Sequence, residues 1–165
     1  MNLSETFKMS ASGEREIVMT RVFDAPPDLV FEALTSPELL KRWLLGPPAW
    51  SMPVCEIDLK VGGAYRYVWR NEDGREMGMG GVYREIIRPQ RLVATEKFDE
   101  AWYSGESHVT TSLTEKQGKT TLVQTMLYES RETRDEVLES GMERGVTVSY
   151  DRLDEILASN LLVGK

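Results

Sequence analysis

The 165-residue sequence predicts an α+β fold in which a curved antiparallel sheet of six to seven strands grips a long C-terminal helix. Three observations predict it. From Val54 to Tyr128 the chain is a series of alternating apolar and polar runs separated by turn residues. Two short proline-led helical segments stand between the first such run and the others. After Ser130 the apolar period changes from two to three and four, and it stays there. A long sheet has one face that must be covered, and only the last helix is large enough to cover it. One helix cannot fill the concave face of a curled sheet along its whole length, so a cavity between helix and sheet is expected.

Residues 1–13 show no usable period and are expected to form a disordered tail, with one domain over 14–160. Glu14 to Phe23 alternates, placing Ile17, Met19, Arg21 and Phe23 on one face. Pro26 and Pro27 suit a first helical turn, and Leu29, Val30, Ala33 and Leu34 follow at helical spacing. Ser36-Pro37-Glu38 repeats the start signal for a second short helix to Trp43, which Gly46-Pro47-Pro48 stops. Strands are then expected at 54–59, 64–70, 77–87, 91–98, 107–115 and 120–128. Asn71 to Gly74 reads as a hairpin turn, and Gly78-Met79-Gly80-Gly81 as a bulge within a strand. In the last helix Met142, Val146, Ser149, Tyr150, Leu153, Ile156 and Leu157 form one stripe. Gly141 and Gly145 are poor helix residues, which points to a bend or a close backbone contact there.

Composition narrows the function classes. The net charge is −7, from 27 acidic and 20 basic residues, so phosphate backbones and anionic lipid are repelled unless a basic patch intervenes, and the sequence has none. Neither nucleic-acid binding nor membrane insertion is expected. The N-terminus lacks the pattern of a signal peptide, and the single cysteine, Cys55, reads as a buried small hydrophobe in a reducing compartment; the expected location is cytoplasmic. One histidine and one cysteine fall short of a metal site. Neither a phosphate loop nor a dinucleotide fingerprint is present, and no cofactor is expected.

Particular stretches sharpen the fold. Phe23-Asp24-Ala25-Pro26 with Val30 to Thr35, Pro37-Glu38 with Trp43, Asp58 to Gly63, Gly81 to Ile86, and Ser140 to Gly145 leading to Tyr150-Asp151-Arg152-Leu153 together resemble the helix-grip fold of the START-like, or SRPBCC, superfamily. Within it the chain looks like the branch of the heat-shock protein 90 ATPase activator homologues. The resemblance implies a hydrophobic ligand cavity and permits polyketide cyclase-like chemistry. Members of the branch often carry an aromatic residue where this chain has Val146, which implies extra room or a different filler.

By strand parity and helix stripe, Tyr65, Tyr67, Trp69, Met77, Met79, Phe98, Met126, Tyr128, Met142, Val146 and Tyr150 face inward, and Trp102 lies in a loop at the expected mouth. Tyrosine and methionine in such numbers suit a pocket with a few polar anchors, although each alone is ordinary core. Trp43, Trp50 and Trp102 either rim the mouth or plug one end of the sheet. Glu96 and His108 are the candidate catalytic groups, a desolvated carboxyl and the lone imidazole; a solvated strand face or surface ion pair explains Glu96 more cheaply, and a lone histidine is more often a surface or satisfied core residue. Asp58 and Glu106 are further carboxylates near the expected interior by parity, while Arg66 and Arg70 fall on the opposite face of the aromatic strand.

Three functions compete at this stage. The first is binding of a hydrophobic small molecule for sequestration, transport or sensing. The second is a cyclase or hydrolase-like enzyme using Glu96, His108, Tyr65 and Tyr128. The third, implied by the branch alone, is activation of a chaperone ATPase. An exposed sheet edge or the mouth loops would serve a homodimer.

Overall fold

The computed structural model describes residues 6–99 and 105–163. Eight strands form one antiparallel sheet in the order β1-β2-β8-β7-β6-β5-β4-β3. They are β1 (Lys8–Ser12), β2 (Glu16–Phe23), β3 (Ser51–Ile57), β4 (Ala64–Arg70), β5 (Glu76–Ile87), β6 (Arg91–Phe98), β7 (Ser107–Lys116) and β8 (Lys119–Leu127). Helices α1 (Pro27–Thr35) and α2 (Pro37–Trp43) carry the chain from β2, near one edge, to β3 at the other. Helices α3 (Arg131–Leu138) and α4 (Met142–Val163) follow the sheet.

The first strand alternates as expected, with Ile17, Met19, Arg21 and Phe23 all buried. Ahead of it lies a strand within the segment expected to be a disordered tail. Residues 8–12 pair with 16–20 of β2 across the whole length of β1. Two of the five residues of β1 are half-buried and none is buried, so backbone pairing to a neighbouring strand, not an apolar face, holds it in place. Such a strand leaves almost no periodic trace. Phe7 packs edge-on against Tyr150, 6.0 Å between ring centres, and the Val22 amide donates to the Thr6 hydroxyl at 2.9 Å.

The glycine run in β5 is not a bulge. Pairing with β4 is regular from Glu76 to Val82, and the irregularity falls between Tyr83 and Glu85 on the β6 side. Glycine is needed for space instead: a Cβ on Gly81 would collide with the Thr95 carbonyl, and one on Gly80 would crowd the Tyr65 carbonyl.

One continuous helix after Ser130 is also corrected. Gly141 adopts φ +87°, a conformation that breaks the helix, and so separates α3 from α4. Ser130 caps α3, its hydroxyl accepting from the Thr133 amide at 3.1 Å. The break lets the two helices cover different parts of the concave face. Val137 of α3 packs with Ile17, Met19, Val109, Met126 and Tyr128, while Tyr150, Leu153, Ile156 and Leu157 of α4 pack with Phe23, Val30, Phe31, Leu40 and Trp43. Phe98 and Val146 touch both clusters. Arg21 lies under α4 with a fully buried side chain, donating to Asp151 at 2.9 Å and to Asp154 at 3.3 Å.

Candidate functional site

Between the two clusters the sheet and α4 separate, leaving a cavity of about 480 Å³. The alternation that builds each strand also decides its wall. From β6 every second residue, Leu92, Ala94, Glu96 and Phe98, faces the cavity; β4 supplies Tyr65, Tyr67 and Trp69, and β5 supplies Met77, Met79 and Tyr83. Val109 and Thr111 of β7, Gln124 and Met126 of β8, and Met142, Gly145, Val146, Ser149 and Tyr150 of α4 complete the far side. The loop after α2 closes one end with Leu44, Leu45, Gly46, Pro47 and Trp50.

That loop is held from both sides. Trp69 Nε1 donates to the Leu44 carbonyl at 2.7 Å, and the Gly46 amide donates to the Ser149 hydroxyl at 2.9 Å. Gly145 sits against the same loop, where an added Cβ would lie 3.6 Å from Pro47 Cδ and 3.9 Å from Gly46 Cα. Its expected close backbone contact is therefore with the mouth loop. Trp43 is buried, donates its Nε1 proton to the Ala33 carbonyl at 2.9 Å and borders the cavity; Trp50 is half-buried on the same wall.

The polar groups on this surface fall into two sets. Some are engaged within the protein: the Tyr65 hydroxyl donates to the Thr95 carbonyl at 2.6 Å, and Gln124 Nε2 donates to the Thr111 hydroxyl at 3.1 Å. Others have no side-chain hydrogen bond or ion pair among the described residues: the Glu96 carboxyl and the hydroxyls of Tyr67, Tyr83 and Tyr150. Desolvation pushes the Glu96 carboxyl up to about 7, and burial raises all three phenols above their ordinary range. Ser107, directly opposite Glu96 on β7, has a buried hydroxyl with no partner among the described residues.

Of the residues expected to line the cavity, Tyr65, Tyr67, Trp69, Met77, Met79, Phe98, Met126, Met142, Val146 and Tyr150 share this surface. Tyr128 does not. It packs under Val137, its hydroxyl donating to Met126 Sδ at 3.6 Å, because α3 folds over that end of the sheet once Gly141 has broken the helix. Trp102 lies outside the described residues. His108 is exposed on β7, one residue out of phase with Val109 and Thr111, and so is remote from Glu96's side of the sheet. Asp58 pairs with Lys60 at the surface, Arg66 with Asp99, and Arg70 with Glu76. Glu106 lines a groove on the outer face beside Arg66, Lys97 and Asp99. No group of three or more metal-ligating side chains occurs among the described residues.

Trp50 beside the Gly46-Pro47 turn fits one of the two readings of the mouth, whereas Leu44, Leu45, Tyr83 and the wall residues Leu92, Ala94, Val109, Thr111 and Gln124 were not expected there. Leu44 to Pro47 have no period to read, whereas Tyr83 shares the parity of Met77 and Met79 and was legible by extending that count past the glycines.

A family model described as activator of Hsp90 ATPase homolog 1-like protein matches residues 24–158. A solved structure from Rhodobacter sphaeroides is similar over 93% of this chain and 99% of its own, with 33% sequence identity and a TM-score of 0.87. A protein from Nitrosomonas europaea shares the fold at 24% identity, covering 92% of this chain and 99% of that one with a TM-score of 0.80. An AHSA1-like protein from Aeromonas hydrophila does so at 18% identity, covering 86% and 93% with a TM-score of 0.71. No curated protein matches the sequence significantly.

Proposed function

The chain belongs to the family of proteins like activator of Hsp90 ATPase homolog 1, in the helix-grip superfamily, and from that premise we propose that it binds a hydrophobic small molecule between the sheet and α4. The observation that carries this reading is the pairing of a largely apolar, aromatic-walled cavity of about 480 Å³ with four polar groups that no described residue engages. A cavity of that volume is in the range of small-molecule sites, roughly 300–1,000 Å³. Glu96 is half-buried and Tyr67, Tyr83 and Tyr150 are buried residues, and polar groups that face a cavity without a protein partner among the described residues are free to meet an occupant with its own donors and acceptors. Sequestration, transport and sensing all require this binding step.

Titration with prodan, a neutral solvatochromic dye, tests it. Saturable blue-shifted fluorescence with 1:1 stoichiometry is expected, and dye at a hundredfold excess over its Kd should stabilise the fold by about 2.7 kcal/mol, read as a rise in melting temperature. Absence of both signals would remove the reading.

One observation favours a second reading. A carboxyl poised near neutrality among tyrosines, as Glu96 is, suits a general base for proton abstraction in a cyclase-like reaction. Turnover of a bound aromatic polyketide by the wild type and its loss in Glu96→Gln would establish it; binding without turnover leaves the first reading standing alone.

A further inference from the structure

The charges on the cavity wall are one-sided. Among the described residues lining it, Glu96 is the only acid or base of the ordinary kind; none of them is a lysine, arginine or histidine. The rest of the wall is rich in aromatic rings. Tyr65, Tyr67 and Trp69 run side by side along β4, with ring centres 5.1 and 5.8 Å apart, and Tyr83 stands 5.4 Å from Tyr65. Aromatic rings present negative faces, and a carboxylate among them makes a surface that attracts cations and repels anions. The net charge of −7 adds to the same bias.

We infer that this cavity selects a lipophilic amine, its protonated nitrogen placed against Glu96 and its hydrocarbon body along the β4 aromatic rings. The inference rests on the ligand-binding reading and names the class of ligand. Its physical basis is compensation. Removing a carboxylate from water without a partner is costly, and a bound ammonium supplies the missing countercharge and donors at once. The opposite choices are penalised: a carboxylate or phosphate ligand would set like charges together, and a neutral alcohol would leave the ionised form of Glu96 uncompensated.

Glu96 protonation must then compete with amine binding. The other titratable side chains on the wall are Tyr65 and Tyr67 from β4, Tyr83 from β5 and Tyr150 from α4; β7 and β8 contribute none. Burial holds Tyr67, Tyr83 and Tyr150 neutral at any pH that matters here. Amine affinity should therefore rise as pH climbs through about 7, where Glu96 ionises, while alcohol affinity should not.

Displacement of prodan by naphthyl-butylamine, naphthyl-butanol and naphthyl-butanoate separates the outcomes. In the wild type at pH 8 the amine should bind about tenfold more tightly than the alcohol, with the carboxylate weakest. The preference should shrink at pH 6 and vanish in Glu96→Gln. If prodan binds but the alcohol or the carboxylate competes as well as the amine, or the preference survives in Glu96→Gln, the amine inference is overturned and the ligand-binding reading stands. If neither prodan nor any of the three binds, both fall together. The pH profile of the wild type reads the same preference without relying on the variant's folding.

Discussion

Glu96 is a carboxyl that the fold would hold more comfortably uncharged, and this has a consequence for stability. In the unfolded chain a glutamate ionises near 4.3, and in the folded protein Glu96 does so at about 7. Its folded-state pKa is raised, so its contribution is most favourable below pH 4 and is lost as pH rises through about 7. The loss is on the order of 3–4 kcal/mol. Glu96→Gln should accordingly be more stable than the wild type at pH 8 and no more stable at pH 4. Urea denaturation at the two values checks this, and a variant that is equally stabilised, or destabilised, at both would contradict the assignment. Glu96 could be placed on the inner face from parity along β6 alone. Its isolation could not, because that depends on what β4, β5, β7, β8 and α4 bring opposite it. His108 shows the converse: the rarity of histidine drew attention to it, yet its position in β7 turns it outward.

Among the elements, those with a strong period were legible and those held by pairing or by single residues were not. The boundaries of α2, β4 and β6 coincide with the apolar runs that predict them. β1 has no apolar face, and the break between α3 and α4 depends on one glycine whose positive φ ends a helix that the surrounding stripe would continue. The contact between β2 and α4 lay between these cases. Arg21 was placed inward with Ile17, Met19 and Phe23, but its partners Asp151 and Asp154, 130 and 133 residues away, lie outside the apolar stripe of the last helix. Here the buried guanidinium, itself 5.2 Å from the Phe23 ring, joins the first long strand to the last helix. Arg21→Ala should cost about 3–5 kcal/mol, since it removes the countercharge of a partly buried Asp154 and leaves a void. Arg21→Met, which keeps most of the volume, should cost less. Equilibrium denaturation of the two variants decides it: equal losses would mean that the guanidinium acts through its charge and hydrogen bonds alone, and a harmless Arg21→Met that it acts through its bulk.

At the level of the whole molecule, the cavity follows from a mismatch between two shapes. A sheet of eight antiparallel strands presents a long concave face, and α4 meets it closely only where Tyr150, Leu153 and Leu157 pack on Phe23, Trp43 and their neighbours. Toward its N-terminus α4 approaches the mouth loop at Gly145 and meets the sheet over Val146, Met142 and Phe98 with less side-chain volume than the space between them. Interiors are ordinarily packed to crystal density, and an apolar void forfeits the dispersion contacts of its lining, so this stretch lowers stability in exchange for room. Val146 is where that exchange is most directly reversed, because it borders both apolar clusters and the cavity. Val146→Phe should add apolar contact across the gap, raising the stability of the unliganded protein by about 1 kcal/mol while weakening prodan by about tenfold or more. Calorimetry without ligand and dye titration measure the two effects on one sample. Their opposition is the diagnostic: greater stability with unchanged dye binding would place the dye elsewhere on the molecule, and weaker binding with lower stability would mean that the ring distorts α4 rather than filling the space beneath it.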